Sequence, residues 1–463
     1  MRFNLRLFFP ALFVLLLAAR LCHVRILWTE ETLPMASAFE MQTGRTLYRD
    51  IWFDKPPLLP AAYLLIGARP GWPVRLLGAF YALLACWLAY RFARDLWSPL
   101  EGCWAAALLG FFLVFDLPSA VIPVASDLLM LAPHLVAVWL AWKRKPLWSG
   151  VAAGVAFWIS PKGVFVLAAC ALWNPAGIPL LAAGFAAAGA LACGWLWSAG
   201  ALPAYWEEVW KWGTLYASAP LTAHPFVNGV WRTANWAGFH IAAVLAAAWY
   251  VARPGKEGRL RWVLWCGLCL VGVVAGLRFF PRYYFLLLAP VVLMAARGMA
   301  LLGRKREFVA LLLLIPVMRF GPRYVWLAAG GTEWADTLMD RDSRKVAALT
   351  RSLAHKGDTL FVWGYRPELY VYTRMPAATI FLDSQPLTGV PADRHLTEAT
   401  PLETAAARTR RAELAQTHPA FVIDGLSLYN PRLAMSRYPE LRAWLAQYRE
   451  AGRTATSIIY SRR

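Results

Sequence analysis

Stretches of chain without a single charge constrain this sequence more than any other feature. Residues 8–19, 178–193 and 262–277 contain no Asp, Glu, Lys or Arg. Most such runs approach the ~20 residues a helix needs to cross ~30 Å of hydrocarbon. A segment in lipid must satisfy its own backbone hydrogen bonds, and no barrel-like alternation is visible, so helices remain. Of the 463 residues, 59% are hydrophobic and 16% charged, against about 25% charged in a soluble domain. Setting apolar runs against charges predicts a mainly α, polytopic membrane protein with about eleven spans. They fall at 7–27, 74–92, 103–116, 127–142, 147–160, 163–174, 178–199, 233–252, 262–279, 283–302 and 308–328. The short pair 147–160 and 163–174 fits a helical hairpin that does not fully cross.

The net charge of +20 would suggest nucleic acid in a soluble protein. Here the basic residues sit in gaps between apolar runs, so membrane topology accounts for them and no nucleic-acid partner is expected. Arg2/Arg6, Arg91/Arg94, Lys143-Arg144-Lys145, Arg253/Lys256/Arg259/Arg261 and Arg304-Lys305-Arg306 all fall on one side of this threading. That side is cytoplasmic by the positive-inside rule. The opposite side receives the long loop 28–73, the loop 116–127, the tip at Lys162, the loop 200–232, the turn 279–283 and everything after about residue 330. No small-residue cleavage site precedes Glu30, so the first span reads as a retained signal anchor. All seven Cys lie in or beside apolar runs and none follows Cys269, which excludes a disulfide-stapled exterior domain. The 25 Trp and 17 Tyr fit interfacial belts; Trp206, Trp210 and Trp212, beside Glu207 and Glu208, are alternatively placed to face a sugar.

A membrane domain over 1–330 is expected, followed by a small exterior α/β domain over 331–463. Helix-like stretches near 334–355, 401–416 and 437–448 alternate with short β-type runs at 359–363, 379–382, 420–423 and 457–460, the pattern of an α/β unit.

Several polar residues are out of place on the exterior side. Glu30 and Glu31 follow the first span, where a helix N-terminus favours carboxylates. Lys55 precedes Pro56-Pro57, which stiffens the chain. Asp127 heads a span, as an N-cap or first-turn carboxylate would, and Asp116 opens the same loop. Lys162 sits between two short apolar helices. A charge at that depth either snorkels or faces a partner or cavity. Arg278, Arg282 and Tyr283 lie in an aromatic turn, as interfacial anchors or as ligands. A carboxylate can act as general base toward a hydroxyl, and basic side chains can hold a phosphate and stabilise its developing charge.

The order of these features resembles the GT-C superfamily of integral-membrane glycosyltransferases. The likeness is to the protein O-mannosyltransferase-like branch (glycosyltransferase family 39-like), which includes bacterial lipid A aminoarabinose transferases. The motifs are Glu30-Glu31, then Gly44, Tyr48-Arg49-Asp50 and Lys55-Pro56-Pro57, then Asp127, Lys162 and the segment Arg278 to Pro290. The tail stretch 358–370 adds to it. The family has Asp then Glu at the acidic pair and often His before the tyrosine, where this chain has Glu30 and Arg282.

The resemblance implies a transferase (EC 2.4) moving one sugar, with inversion, from a polyprenyl-phosphate donor to an envelope lipid, glycan or protein. The reaction would occur on the periplasmic face of a bacterial inner membrane. Glu30, with Glu31 and Asp127, would be catalytic; Lys55, Lys162, Arg278, Arg282 and Tyr283 would bind the donor phosphate. A divalent cation, if used, would sit on Glu30, Glu31 and Asp127. A flippase of lipid-linked sugars and a non-catalytic membrane scaffold are the competing readings; related halves and midplane breaks, marks of a transporter, are not visible in the sequence.

Overall fold

The computed structural model describes residues 5–116, 122–218, 224–253, 258–331, 334–391 and 396–463. Arg2, Lys256 and parts of the loops 116–127 and 200–232 lie outside them. The chain is mainly helical with one small sheet near its C-terminal end. It forms two compact units, one of Met1–Val24, Trp72–Gly194 and Pro220–Gly331, the other of Arg25–Gly71, Trp195–Ala219 and Thr332–Arg463. The first loop, expected as part of the membrane domain, thus groups with the tail.

In the first unit each apolar run becomes helix. Among the described residues, four helices are long and apolar enough to cross a membrane: Trp72–Leu96, Pro175–Ser198, Pro281–Leu301 and Gly303–Ala328. A fifth span is completed if Pro225–Phe239 and Ile241–Ala252, bent by 88° at His240, are one broken element. That bend divides the span expected over 233–252. The run 308–328 is likewise interrupted, into Arg306–Leu311 and Leu314–Ala328. Shorter apolar helices include Pro99–Phe112, Ser126–Trp142, Pro146–Ile159 and Gly163–Trp173; the last two are the expected hairpin. Small residues let these helices approach closely. A Cβ on Gly298 would stand 1.8 Å from the Ala246 carbonyl oxygen. Gly150 and Gly184 meet reciprocally, each with a Cβ position 2.0 Å from a carbonyl oxygen of the other helix, those of Leu181 and Leu147.

In the second unit four strands, β1 (Leu360–Trp363), β2 (Phe421–Asp424), β3 (Tyr448–Arg453) and β4 (Ile458–Arg462), form a sheet in the order β1-β2-β4-β3. The pair β1–β2 is parallel and the other two pairs are antiparallel. Helices Ala335–Leu353, Ala405–Leu414 and Pro439–Leu445 accompany it. The strand expected at 379–382 does not form. The Leu360 backbone already meets Pro376 and Ala378, and the Thr379 hydroxyl accepts the Phe381 N–H at 2.8 Å, turning the chain out of the ladder. Within this unit the first loop and the tail interlock. Leu27 N donates to Asp340 Oδ1 (3.0 Å), Ala377 N to Glu40 Oε1 (2.9 Å) and Trp52 N to the Ile380 carbonyl (2.8 Å). Arg366 is buried; it donates to Glu368 Oε1 (3.1 Å), Ser457 Oγ (3.2 Å) and Asp342 Oδ2 (3.3 Å). The stretch 358–370 therefore supplies a framework.

Candidate active site

The acidic pair sits in the first turn of the helix Thr29–Gln42. Glu31 is fully buried and its Oε2 accepts the N–H of Trp28, the N-cap residue, at 3.2 Å. This is the third-position half of a capping box, so Glu31 holds the helix start. Glu30 is half-exposed.

Beyond Gly44, the chain is fixed backbone group by backbone group. Tyr48 adopts φ +67, a left-handed conformation costly for a non-glycine residue. Its N–H donates to the Ile51 carbonyl (2.8 Å) and its hydroxyl to the Lys55 carbonyl (2.7 Å). Phe53 N donates to Glu208 Oε2 at 2.8 Å. This scaffold carries Lys55, whose Nζ lies 2.7 Å from Asp54 Oδ1 and whose side chain is 39% exposed. Burial pulls the Lys55 amine down, but Asp54, Tyr216 and Asp383 outweigh it and raise its pKa. The ammonium therefore persists across the neutral range. Asp383 is buried, and burial first, then Asp54, pushes its pKa up to about 7, against hydrogen bonds from Gln385 and the charge of Lys55. Glu208 is pushed well up, chiefly by burial. Asp54 and Asp383 thus both act on one cation, with the raised carboxyl of Glu208 nearby.

Glu208 lies in the π-helical turn Trp206–Lys211, an irregularity frequent at functional sites. Trp212 is buried, edge-on to Trp52 at 5.5 Å, so it is internal packing. Trp206 is largely exposed.

In the helical unit, Lys162 occupies the turn ahead of Gly163–Trp173. Gly163 fixes this turn, since a Cβ there would stand 2.3 Å from Phe157 N. The Lys162 ammonium lies 2.9 Å from the centre of the Tyr283 ring, finds no hydrogen-bond acceptor among the described residues, and is attracted by Asp127, in the first turn of Ser126–Trp142. The structure therefore brings Asp127, Lys162 and Tyr283 together. Arg282 and Tyr283 share the 3-10 turn Pro281–Tyr284. Arg278 is buried between Leu277 (φ +53) and Phe279 (φ +49). The two left-handed non-glycine residues that flank it store backbone strain of ~1–3 kcal/mol each, and such strain clusters at functional sites.

Asp116 is buried with Oδ1 2.9 Å from His240 Nε2. His240 stacks between Phe112 (4.3 Å) and Trp236 (4.4 Å) at the bend of the broken helix. Sequence reasoning left Asp116 without a partner and passed over Asp54, Asp383 and His240; Glu208 entered it only as a neighbour of the tryptophans. Asp54 borders the Lys-Pro-Pro block, which was the available signal; Asp383 and Glu208 reach it only through tertiary structure.

Among the described residues, no three His, Cys, Asp or Glu side chains form a group able to hold a metal ion. Glu31 is engaged in its helix cap.

No family model matches the sequence, and no curated protein matches it. Solved structures do resemble it. ArnT from Cupriavidus metallidurans bound to undecaprenyl phosphate superposes with a TM-score of 0.58 at 14% identity, over 98% of this chain and 97% of that one. The archaeal oligosaccharyltransferase AglB from Archaeoglobus fulgidus, in complex with an inhibitory peptide and a dolichol-phosphate, gives 0.50 at 10% identity, over 98% and 74%. Both are membrane glycosyltransferases of one architecture, and this chain has their fold, the GT-C fold.

Proposed function

We propose that the protein is a membrane glycosyltransferase that transfers a single sugar, with inversion, from a polyprenyl-phosphate donor to an envelope acceptor. In this reading it spans a bacterial inner membrane about eleven times, with chemistry and tail on the periplasmic side. The observation that carries it is the end-to-end likeness to ArnT, whose own structure holds undecaprenyl phosphate.

The chain's residues suit the steps. An acceptor hydroxyl attacks the anomeric carbon and the carbon–oxygen bond to phosphate breaks. Glu30 takes the hydroxyl proton. Lys162, set against Tyr283 and near Asp127, and Lys55, Arg278 and Arg282 offset the charge developing on the lipid phosphate. The Asp127 carboxylate attracts the Lys162 ammonium. One displacement inverts the anomeric configuration.

The test is transfer by the purified protein, in lipid, of radiolabelled sugar from a panel of polyprenyl-phosphate sugars onto extracted envelope fractions. Wild type and Glu30→Gln are run in parallel. Transfer that falls at least a hundredfold in Glu30→Gln supports the reading. Full activity in that variant removes Glu30 from its role. No consumption of any donor, with labelled lipid still crossing a proteoliposome bilayer, replaces the reading with a flippase.

A further inference from the structure

A cavity of about 580 Å³ opens in the tail unit, lined by Arg408, Arg411, Arg432, Arg437 and Tyr438 together with Glu403 and Glu440. That volume suits a small ligand. Its charges are unequally engaged. Arg411 is buried and donates to Glu403 Oε1 (2.5 Å) and Glu440 Oε2 (3.3 Å). Arg408 approaches the same two carboxylates at 3.5 and 3.6 Å. Both acids are therefore occupied by these two arginines. Arg432 and Arg437 have no carboxylate within ion-pair distance among the described residues, which leaves the pocket with two uncompensated positive charges.

The wall is preorganised. Arg432 and Arg437 sit on consecutive 3-10 turns, Pro431–Leu433 and Met435–Arg437. Asn430 pins these turns: its Nδ2 donates to the carbonyls of Leu396 (3.0 Å) and Ala399 (2.7 Å), and its Oδ1 accepts the Arg432 N–H at 3.2 Å. Tyr438 follows directly. Its ring is held between the Arg411 guanidinium (4.3 Å) and Trp363 (5.6 Å). It is 5% exposed, and its hydroxyl finds no hydrogen-bond partner among the described residues. Surface arginines alone would be ordinary in a chain of net charge +20. A pair carried on pinned turns beside an unsatisfied buried donor is not.

We infer that this pocket binds a phosphomonoester. Two guanidinium groups match the −1.5 to −2 charge of a phosphomonoester near pH 7, their planar donors fit its oxygens in pairs, and the Tyr438 hydroxyl supplies a further donor. The phosphoryl group arrives either on a lipid headgroup or on a free sugar phosphate. The inference does not depend on the transferase reading, and its test involves no transfer.

The full chain in detergent is titrated, at fixed ionic strength, with inorganic phosphate, with glucose 6-phosphate and with mixed micelles containing phosphatidic acid; binding is read by thermal shift. Wild type should bind at least one of them saturably. R432A/R437A should weaken that binding at least tenfold, Y438F about threefold, and R449A, on an exposed stretch of β3, not at all. Phosphatidic acid binding tenfold tighter than the soluble phosphates identifies a headgroup, and the reverse order a free sugar phosphate. No saturable binding of any probe, or binding that survives intact in R432A/R437A, overturns the inference; both arginines are exposed, so that variant is expected to fold.

Discussion

Asp383 offers the sharpest test of the charge cluster beside Lys55. Its carboxyl is buried, and burial with the nearby charge of Asp54 moves its pKa from the ordinary 3.8 to about 7. Below pH ~4 both the folded and unfolded chain hold the proton. Between 4 and 7 the unfolded chain releases it while the folded chain keeps it, so stability falls as pH rises through this window. Above 7 the penalty is complete. At ~1.4 kcal/mol per pKa unit the displacement is worth about 4 kcal/mol as an upper bound. Relaxation and water entry reduce effective desolvation, and about 2 kcal/mol is the working figure. Asp383→Asn keeps an acceptor for the Gln385 N–H, now 2.8 Å from Oδ1, and cannot ionise. The difference in melting temperature between variant and wild type, followed by fluorescence in detergent, should be only about a third of its full value at pH 5, which lies a little above the ordinary 3.8 and well below 7. For a unit of about 200 residues, where 1 kcal/mol moves Tm by ~2–4 °C, it should rise to about +4 to +8 °C at pH 8. A difference that is the same at both pH values, or negative at pH 8, would refute the argument that Asp383 carries a buried ionisation.

Three further outcomes are expected. Arg366→Met leaves the carboxylates of Asp342 and Glu368 buried without their cation and should cost about 3–5 kcal/mol, seen as faster proteolysis of the tail; an unchanged cleavage pattern contradicts this. Gly298→Ala drives a methyl against the Ala246 carbonyl and should cost about 1–3 kcal/mol or more, whereas Gly267→Ala, with open space around its Cβ position, should be neutral; equal melting temperatures for the two would sink the packing argument. Lys162→Met removes the cation above Tyr283 and should weaken binding of a polyprenyl phosphate at least tenfold with folding intact; unaltered affinity takes Lys162 out of the phosphate site.

The helical part of the fold was readable because uncharged runs have few alternatives in lipid, and the observed helices follow them. The break at His240 was not readable. Neither Phe239 nor Ile241 is a helix breaker, and the bend accompanies a long-range pairing of His240 with Asp116. Strand β3 was missed because Tyr-Arg-Glu-Ala-Gly-Arg is a polar edge strand, largely exposed, without apolar alternation. The expected helix over 437–448 ends at Leu445 to make room for it. At the candidate site, residue type and order pointed to Lys55, Asp127, Lys162 and Tyr283. Asp383 could not be read beside Asp54, because more than 300 positions separate them. Glu31 shows the converse: an acidic pair visible in sequence divides into one structural and one half-exposed carboxylate only once the cap geometry is known.

The second unit is assembled from three separated stretches of chain, and this bears on biosynthesis. Residues 25–71 leave the ribosome early, yet the partners of Leu27, Glu40 and Trp52 (Asp340, Ala377 and Ile380) are translated only after every helix of the first unit. Bringing ends together across such a distance is not prohibitive, since loop-closure entropy grows only logarithmically with length. It does fix an order. The early loop must wait for these partners until the last third of the polypeptide exists. Synthesis aborted in the tail would leave apolar helices without a completed second unit. The second unit is therefore completed in one late step, when residues 332–463 have been made.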